Sequence, residues 1–168
     1  IRENPDLAAV KMEVVRSVEP REGFLEEVRK LCTDNNIVLI FDECTSGFRE
    51  TFGGLHKKYN VEPDIAIFAK ALGNGYPITC ILGKKKYLKQ ASKSFISSTF
   101  WTERIGPSAG LATLKEMKEI KLVDTVMRYS KLRNIIKKLE ARYIYSYHDY
   151  FYGKPLILFL FFSNPNYH

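Results

Sequence analysis

The sequence predicts an α/β fold: a mostly parallel sheet flanked by helices. Three observations predict it. Apolar segments of strand length alternate with segments of helical period. One of them, Ile37-Val38-Leu39-Ile40-Phe41, is continuously apolar and rich in β-branched residues, as in a parallel strand covered on both faces. The composition, 45% hydrophobic and 27% charged over 168 residues, is that of one globular domain and excludes extensive disorder.

The elements follow in order. Leu7 to Val15 is a short apolar run of the buried-strand type. Pro20 and Gly23 open a helix over Phe24 to Cys32, with apolar residues at positions i, i+1, i+4 and i+7, and Asn35-Asn36 stops it. Ile37 to Phe41 is the second strand, and a short helix falls near Leu55 to Tyr59. Asp64 to Phe68 is the third strand, ended by Lys70 and the loop Gly73-Asn74-Gly75-Tyr76-Pro77. Ile78 to Leu82 is the fourth. From Gly106 to about Arg142 the chain reads as helical, with a break near Lys121. Ten aromatic residues fall in 143–168 against 12 in the preceding 142. Tyr143 to Tyr147 reads as an edge strand. Leu156 to Phe162 reads as a charge-free, β-prone segment, either a natural core strand or a stretch of altered origin.

Several function classes recede on composition alone. The longest apolar run, Leu156 to Phe162, is far below the ~20 residues that span a bilayer, so no membrane association is expected. His56, His148 and His168 are too scattered for a metal site, and Cys32, Cys44 and Cys80 form no CxxC pair. An odd cysteine count without a leader points to free thiols in a reducing, cytoplasmic setting. A first residue of Ile rather than Met reads as a piece of a longer protein. The net charge of +7 is uneven: residues 1–80 carry 10 Lys/Arg against 13 Asp/Glu, and residues 81–142 carry 15 against 5. The basic half lacks any nucleic-acid motif, and its cations recur among apolar residues at helical spacing. It reads as a solvated helix surface.

Two strand ends hold the chemistry. In Phe41-Asp42-Glu43-Cys44-Thr45-Ser46-Gly47-Phe48-Arg49, acids follow directly on an apolar strand. In Pro63-Asp64-Ile65-Ala66-Ile67-Phe68-Ala69-Lys70, a lone lysine ends one before a glycine-rich turn. If the strands are parallel neighbours, Asp42 and Lys70 share the carboxyl edge, where ligands of such sheets bind. A buried Asp beside a buried Lys has two readings. One is an ion pair, because a buried charge needs a partner. The other is a pyridoxal phosphate site, where an amine meets the cofactor aldehyde and a carboxylate keeps the pyridine nitrogen protonated.

The wording of both segments, IFDECTSGFR and PDIAIFAKALGNGYPI, resembles the aminotransferase class III family of fold-type I pyridoxal phosphate enzymes, and in particular its glutamate-1-semialdehyde aminomutase members. The likeness runs from about Leu7 to Glu119. It implies a pyridoxal 5′-phosphate-dependent aminotransferase or aminomutase acting on a small amino donor and acceptor, and a homodimer. By residue, Lys70 matches the Schiff-base lysine and Asp42 the aspartate on the pyridine nitrogen. Cys44 stands where Val usually packs on the ring, and Thr45 lies near the ring's phenolic oxygen. Thr99, in Ser98-Thr99-Phe100, matches the hydroxyl that reaches a neighbouring subunit's cofactor phosphate; a helix-capping role is its alternative.

The likeness also divides the chain. Residues 1–119 read as part of the cofactor-binding large domain, 120–142 as a connecting helix, and 143–168 as a divergent aromatic tail. Weaker candidates are Glu13, on the substrate side or a plain strand-end carboxylate, and Arg49, for a substrate carboxylate or a surface ion pair. Glu43 is expected to hydrogen bond beneath the site.

The pattern also breaks. Val14 replaces a usual Pro, and Trp101-Thr102-Glu103-Arg104-Ile105 departs from the family's wording, which suggests a different substrate or subunit contact. The phosphate-binding loop and small domain typical of the family have no counterpart before Ile1 or after Arg142. A truncated remnant without activity is therefore the alternative reading.

Overall fold

A computed structural model describes residues 4, 6–96, 99–100 and 103–139. Strands β1 (Ala9–Met12), β2 (Val38–Asp42), β3 (Ile65–Phe68) and β4 (Cys80–Gly83) form one sheet in the order β1-β2-β3-β4. The first two pairings are parallel and the third antiparallel. The fold is the α/β arrangement the sequence predicts, with one reversal. Residues 69–79 between β3 and β4 contain a 3-10 turn (Lys70–Leu72) and no longer helix. A parallel return needs a helical crossover of about a dozen residues or more, so the short link turns the strand back. β4 also begins two residues later than the sequence suggests, and β1 is shorter, confined to Ala9–Met12.

Helix α1 (Phe24–Asp34) lies between β1 and β2. Leu25 and Cys32, each 1% exposed, pack with Leu39 and Phe41, both fully buried, in one core cluster. A second cluster joins Ala66 and Phe68 of β3 to Met117 of α3 (Ile105–Glu119) and to Leu122 and Val126 of α4 (Leu122–Leu139). The short helix α2 (Lys85–Leu88) follows β4. The predicted helix near Leu55 is a 3-10 helix over Leu55–Tyr59. The break predicted near Lys121 separates α3 from α4, with Lys121 itself at φ +48°. Residues 143–168, and with them both predicted tail strands, lie outside the described residues.

Strand alternation gives the sheet two unlike faces. Leu39, Phe41, Ala66 and Phe68 point into the two clusters. Val38, Ile40, Ile65 and Ile67 are only half-buried and belong to neither cluster. Lys11 pairs with Ile40 in register, and Asp42 lies two residues further along β2, so this second face carries both charged side chains.

Asp64, 3% exposed, fastens the far edge of the sheet. It accepts hydrogen bonds from Arg29 Nη1 of α1 (2.8 Å), the backbone N–H of Leu39 (3.0 Å) and Lys84 Nζ (2.6 Å). Burial raises its pKa, but the lysine, the amide and the guanidinium outweigh that and bring it down to about 2.

Candidate active site

Because β2 and β3 are parallel, they end at the same edge of the sheet. Asp42 is the last residue of β2, and Lys70 comes two residues after Phe68 closes β3. The shared edge holds, but the buried pair does not form. Asp42 is partly exposed and Lys70 exposed, and each has a different partner. Asp42 Oδ2 accepts from Lys11 Nζ at 2.7 Å, and its Oδ1 accepts from the Cys44 backbone N–H at 3.1 Å. The lysine hydrogen bond is the main reason the Asp42 carboxyl sits at about 2; the Cys44 bonds add to it against a modest burial penalty.

Lys70 Nζ donates instead to Thr45 Oγ1 at 2.7 Å. Its backbone has φ +45°, a left-handed conformation rare outside glycine and costly unless surrounding structure enforces it. Here a tight turn enforces it: the N–H groups of Gly73 and Asn74 both donate to the Lys70 carbonyl, each at 3.2 Å.

The loop after β2 is built to bring Thr45 there. The Gly47 N–H donates to the Glu43 carbonyl at 2.8 Å, closing the first turn. A Cβ on Gly47 would lie 2.7 Å from a Phe68 ring carbon and 2.8 Å from that carbonyl, so only glycine lets the loop lie against the end of β3. Cys44 is half-buried, and burial, followed by the nearby Asp42, pushes its thiol pKa up. That favours a packing group over a reactive thiolate.

Glu43 points the other way and is fully buried. Its Oε1 accepts from the backbone N–H of His56 at 3.0 Å and lies 2.9 Å from His56 Nδ1, while Ser46 Oγ donates to Oε2. Burial pushes the Glu43 carboxyl up, but the His56 and Ser46 hydrogen bonds prevail and hold it below the ordinary range. It therefore anchors the loop from beneath, as expected.

The remaining candidates are dispersed. Thr99 lies on an exposed turn before α3, and among the described residues it makes no hydrogen bond with Asp42 or Lys70. Ser98 and Trp101 lie outside the described residues. The α3 N-terminus is capped by Glu103, whose carboxylate accepts from the N–H groups of Ile105 and Gly106. The capping alternative for Thr99 thus gives way, and the divergent Glu103 has a local helix role. Arg49 Nε donates to the Thr45 carbonyl, with no carboxylate at ion-pair distance among the described residues. Glu13 pairs with Arg16 at 3.6 Å.

Lys11 is the participant that sequence reasoning missed. Its signal was present: a cation interrupts the apolar strand AVKM two residues before Glu13.

Asp42 and Lys70 together suit a group that needs an anionic acceptor for a ring N–H and a primary amine within reach. The aspartate is ionised at neutral pH. The lysine is held by a neutral hydroxyl rather than locked to a carboxylate.

Comparison with known proteins places the chain in a family. The Aminotransferase class-III model matches residues 2–146. The chain is 41% identical over 108 residues to a 3-aminobutyryl-CoA aminotransferase of Cloacimonas acidaminovorans, covering 64% of this chain and 26% of that protein. It is 33% identical over 151 residues to a glutamate-1-semialdehyde 2,1-aminomutase of Methanococcus maripaludis, covering 85% of this chain and 35% of that protein. The structure of the Sphingopyxis sp. MTA144 FumI protein in its PLP internal aldimine form superposes with a TM-score of 0.75 at 26% identity, over 82% of this chain and 35% of that one. An S-selective transaminase from Arthrobacter sp. gives 0.71 at 25% identity, over 83% and 32%. The chain spans 26% to 35% of the length of these proteins. Matched over most of its residues, it belongs to the aminotransferase class-III family.

Proposed function

We propose that this chain carries the Asp/Lys half of a pyridoxal 5′-phosphate site, and that the protein it forms moves an amino group between small molecules as an aminotransferase or within one as an aminomutase. One observation supports the reading above all: an ionised carboxylate and an accessible primary amine end adjacent parallel strands at one edge of the sheet. When bound, pyridoxal phosphate supplies an aldehyde that condenses with amines and a pyridinium ring that draws electrons.

The residues divide the work. Lys70 would hold the cofactor through its amine and would carry the proton to and from the substrate Cα. Asp42 keeps the proton on the ring nitrogen. Cys44 packs against the ring face, and Thr45 orients the Lys70 amine. Thr99 donates to the phosphate bound by a second copy of the chain, so the functional form is a homodimer. In this reading residues 1–119 are part of the cofactor-binding large domain and 120–142 a connecting helix. The three free cysteines suit a reducing, cytoplasmic setting.

The two family activities differ in whether the amino group leaves the substrate skeleton. Both outcomes have relatives behind them, an aminotransferase 41% identical over 64% of this chain and an aminomutase 33% identical over 85% of it, and the proposal covers either.

The test is an absorbance titration with pyridoxal 5′-phosphate. The wild-type chain is expected to shift the cofactor band at low, saturating cofactor, and Lys70→Ala to keep only the weak, non-saturating shift of surface lysines. A wild-type chain that produces no such saturating shift is an inactive remnant and contradicts the proposal.

A further inference from the structure

Two cations have a claim on one oxygen of Asp42. The carboxylate is not free to turn: Oδ1 is held by the Cys44 backbone N–H at 3.1 Å, two residues along the same loop. That leaves Oδ2 facing outward, and Lys11 Nζ occupies it at 2.7 Å. Lys11 stands in the middle of β1, and the parallel register brings it beside β2 on the half-open face of the sheet. Its side chain is 56% exposed, so the ammonium reaches Asp42 from solvent on a flexible stem. The other charged groups nearby are Glu13, two residues further along β1, and Lys70, which is engaged by Thr45.

We infer that Lys11 is an intramolecular competitor for Asp42, holding Oδ2 until a protonated pyridine ring displaces it, so that Lys11 weakens cofactor binding while Asp42 strengthens it. This rests on the pyridoxal phosphate reading of the site. A ring N–H and the Lys11 ammonium both carry positive charge and both need the oxygen that the loop leaves open. Placed together at Oδ2 they repel, and the lysine, tethered among the described residues by one exposed contact, is the one that moves. While it stays, it also shares the carboxylate's charge and lessens its pull on the ring proton. Lys11 is therefore a positioning residue that acts through Asp42.

The test uses pyridoxamine 5′-phosphate. That probe has no aldehyde, cannot join Lys70, and so reads only the non-covalent contacts. Fluorescence titrations of the full chain compare wild type, Lys11→Met, Lys11→Arg and Asp42→Asn. The expected result is tighter binding by Lys11→Met, by about two- to fivefold, the scale of an exposed ion pair. Lys11→Arg stays near wild type, and Asp42→Asn binds more weakly. In parallel, carboxyl NMR without any cofactor should find the Asp42 titration moved upward in Lys11→Met, as loss of the ammonium at Oδ2 requires; tighter binding by the same variant is the readout that a purely structural lysine would not give.

An Asp42 titration that does not move overturns the inference. So does unchanged or weaker binding by Lys11→Met while Asp42→Asn still loses affinity, an outcome that leaves the site reading intact. Equal affinity in all four proteins, or no binding to any, overturns the site reading and the inference together.

Discussion

Lys70 Nζ lies 2.7 Å from Thr45 Oγ1, so the amine at the end of β3 is tied to the loop after β2 and not to the carboxylate that ends that strand. The separation has a chemical consequence. A lysine locked to Asp42 would need to break an ion pair before reacting. One held by a neutral hydroxyl has no ion pair to break, and the hydrogen bond aims the amine as it reacts.

Thr45→Val removes that hydroxyl while keeping the shape. The Lys70 amine then loses its fixed direction, and the rate of cofactor attachment, followed by stopped-flow absorbance, is expected to fall by about tenfold, the kinetic equivalent of one hydrogen bond. The final amount attached should change little.

Asp42→Asn keeps the size of the side chain but cannot hold a proton on the ring nitrogen. Turnover in the complete enzyme is expected to drop by roughly 10²–10⁴, the range for a positioned proton-transfer group. The check is steady-state kinetics, with kcat falling more than KM rises.

His56→Ala takes from the buried Glu43 the ring that lies 2.9 Å from its Oε1. Glu43 has no access to water, so the loss is not made good by solvent. A destabilisation of about 1–3 kcal/mol is expected, read as a lower urea midpoint with an unchanged slope. His56→Gln, which restores a donor, should recover part of it.

Acid sensitivity follows from Asp64, whose folded pKa is about 2 against an ordinary value near 4. Between those two values the unfolded chain binds a proton that the folded chain does not. The Asp64 contribution is therefore complete above about pH 4 and is lost as the pH falls toward 2. Asp64→Asn is expected to flatten that limb of the stability curve, measured by urea unfolding from pH 2 to pH 6.

Much of this architecture is written in local pattern. The strand after Ile37 and the helical stretch broken at Lys121 form where the pattern puts them, but burial departs from it in detail: α1 buries Leu25 and Cys32 and leaves Leu31 exposed, and Val38 and Ile40 lie on a face that is only half-buried rather than covered. The orientation of β4 was not legible in that way: nothing in Cys80-Ile81-Leu82 encodes direction, which the short link from β3 decides. At the site, the strand ends announced Asp42 and Lys70, since charges directly after apolar strands stand out. Their partners did not. Lys11 and Thr45 lie 31 and 25 residues away from them, and only sheet register and the path of the Gly47 loop bring them in. Thr99 stayed an expectation: its proposed role lies on a second copy of the chain, and among the described residues it makes no hydrogen bond with Asp42 or Lys70.

The most direct test of the pyridoxal phosphate reading is to reduce the chain with borohydride in the presence of pyridoxal 5′-phosphate and map the modified lysine by mass spectrometry. The chain has many exposed lysines, among them Lys11 beside the same carboxylate. Selective modification of Lys70, absent in Lys70→Ala, is the predicted result. Modification spread evenly over surface lysines, or centred on Lys11, would contradict it.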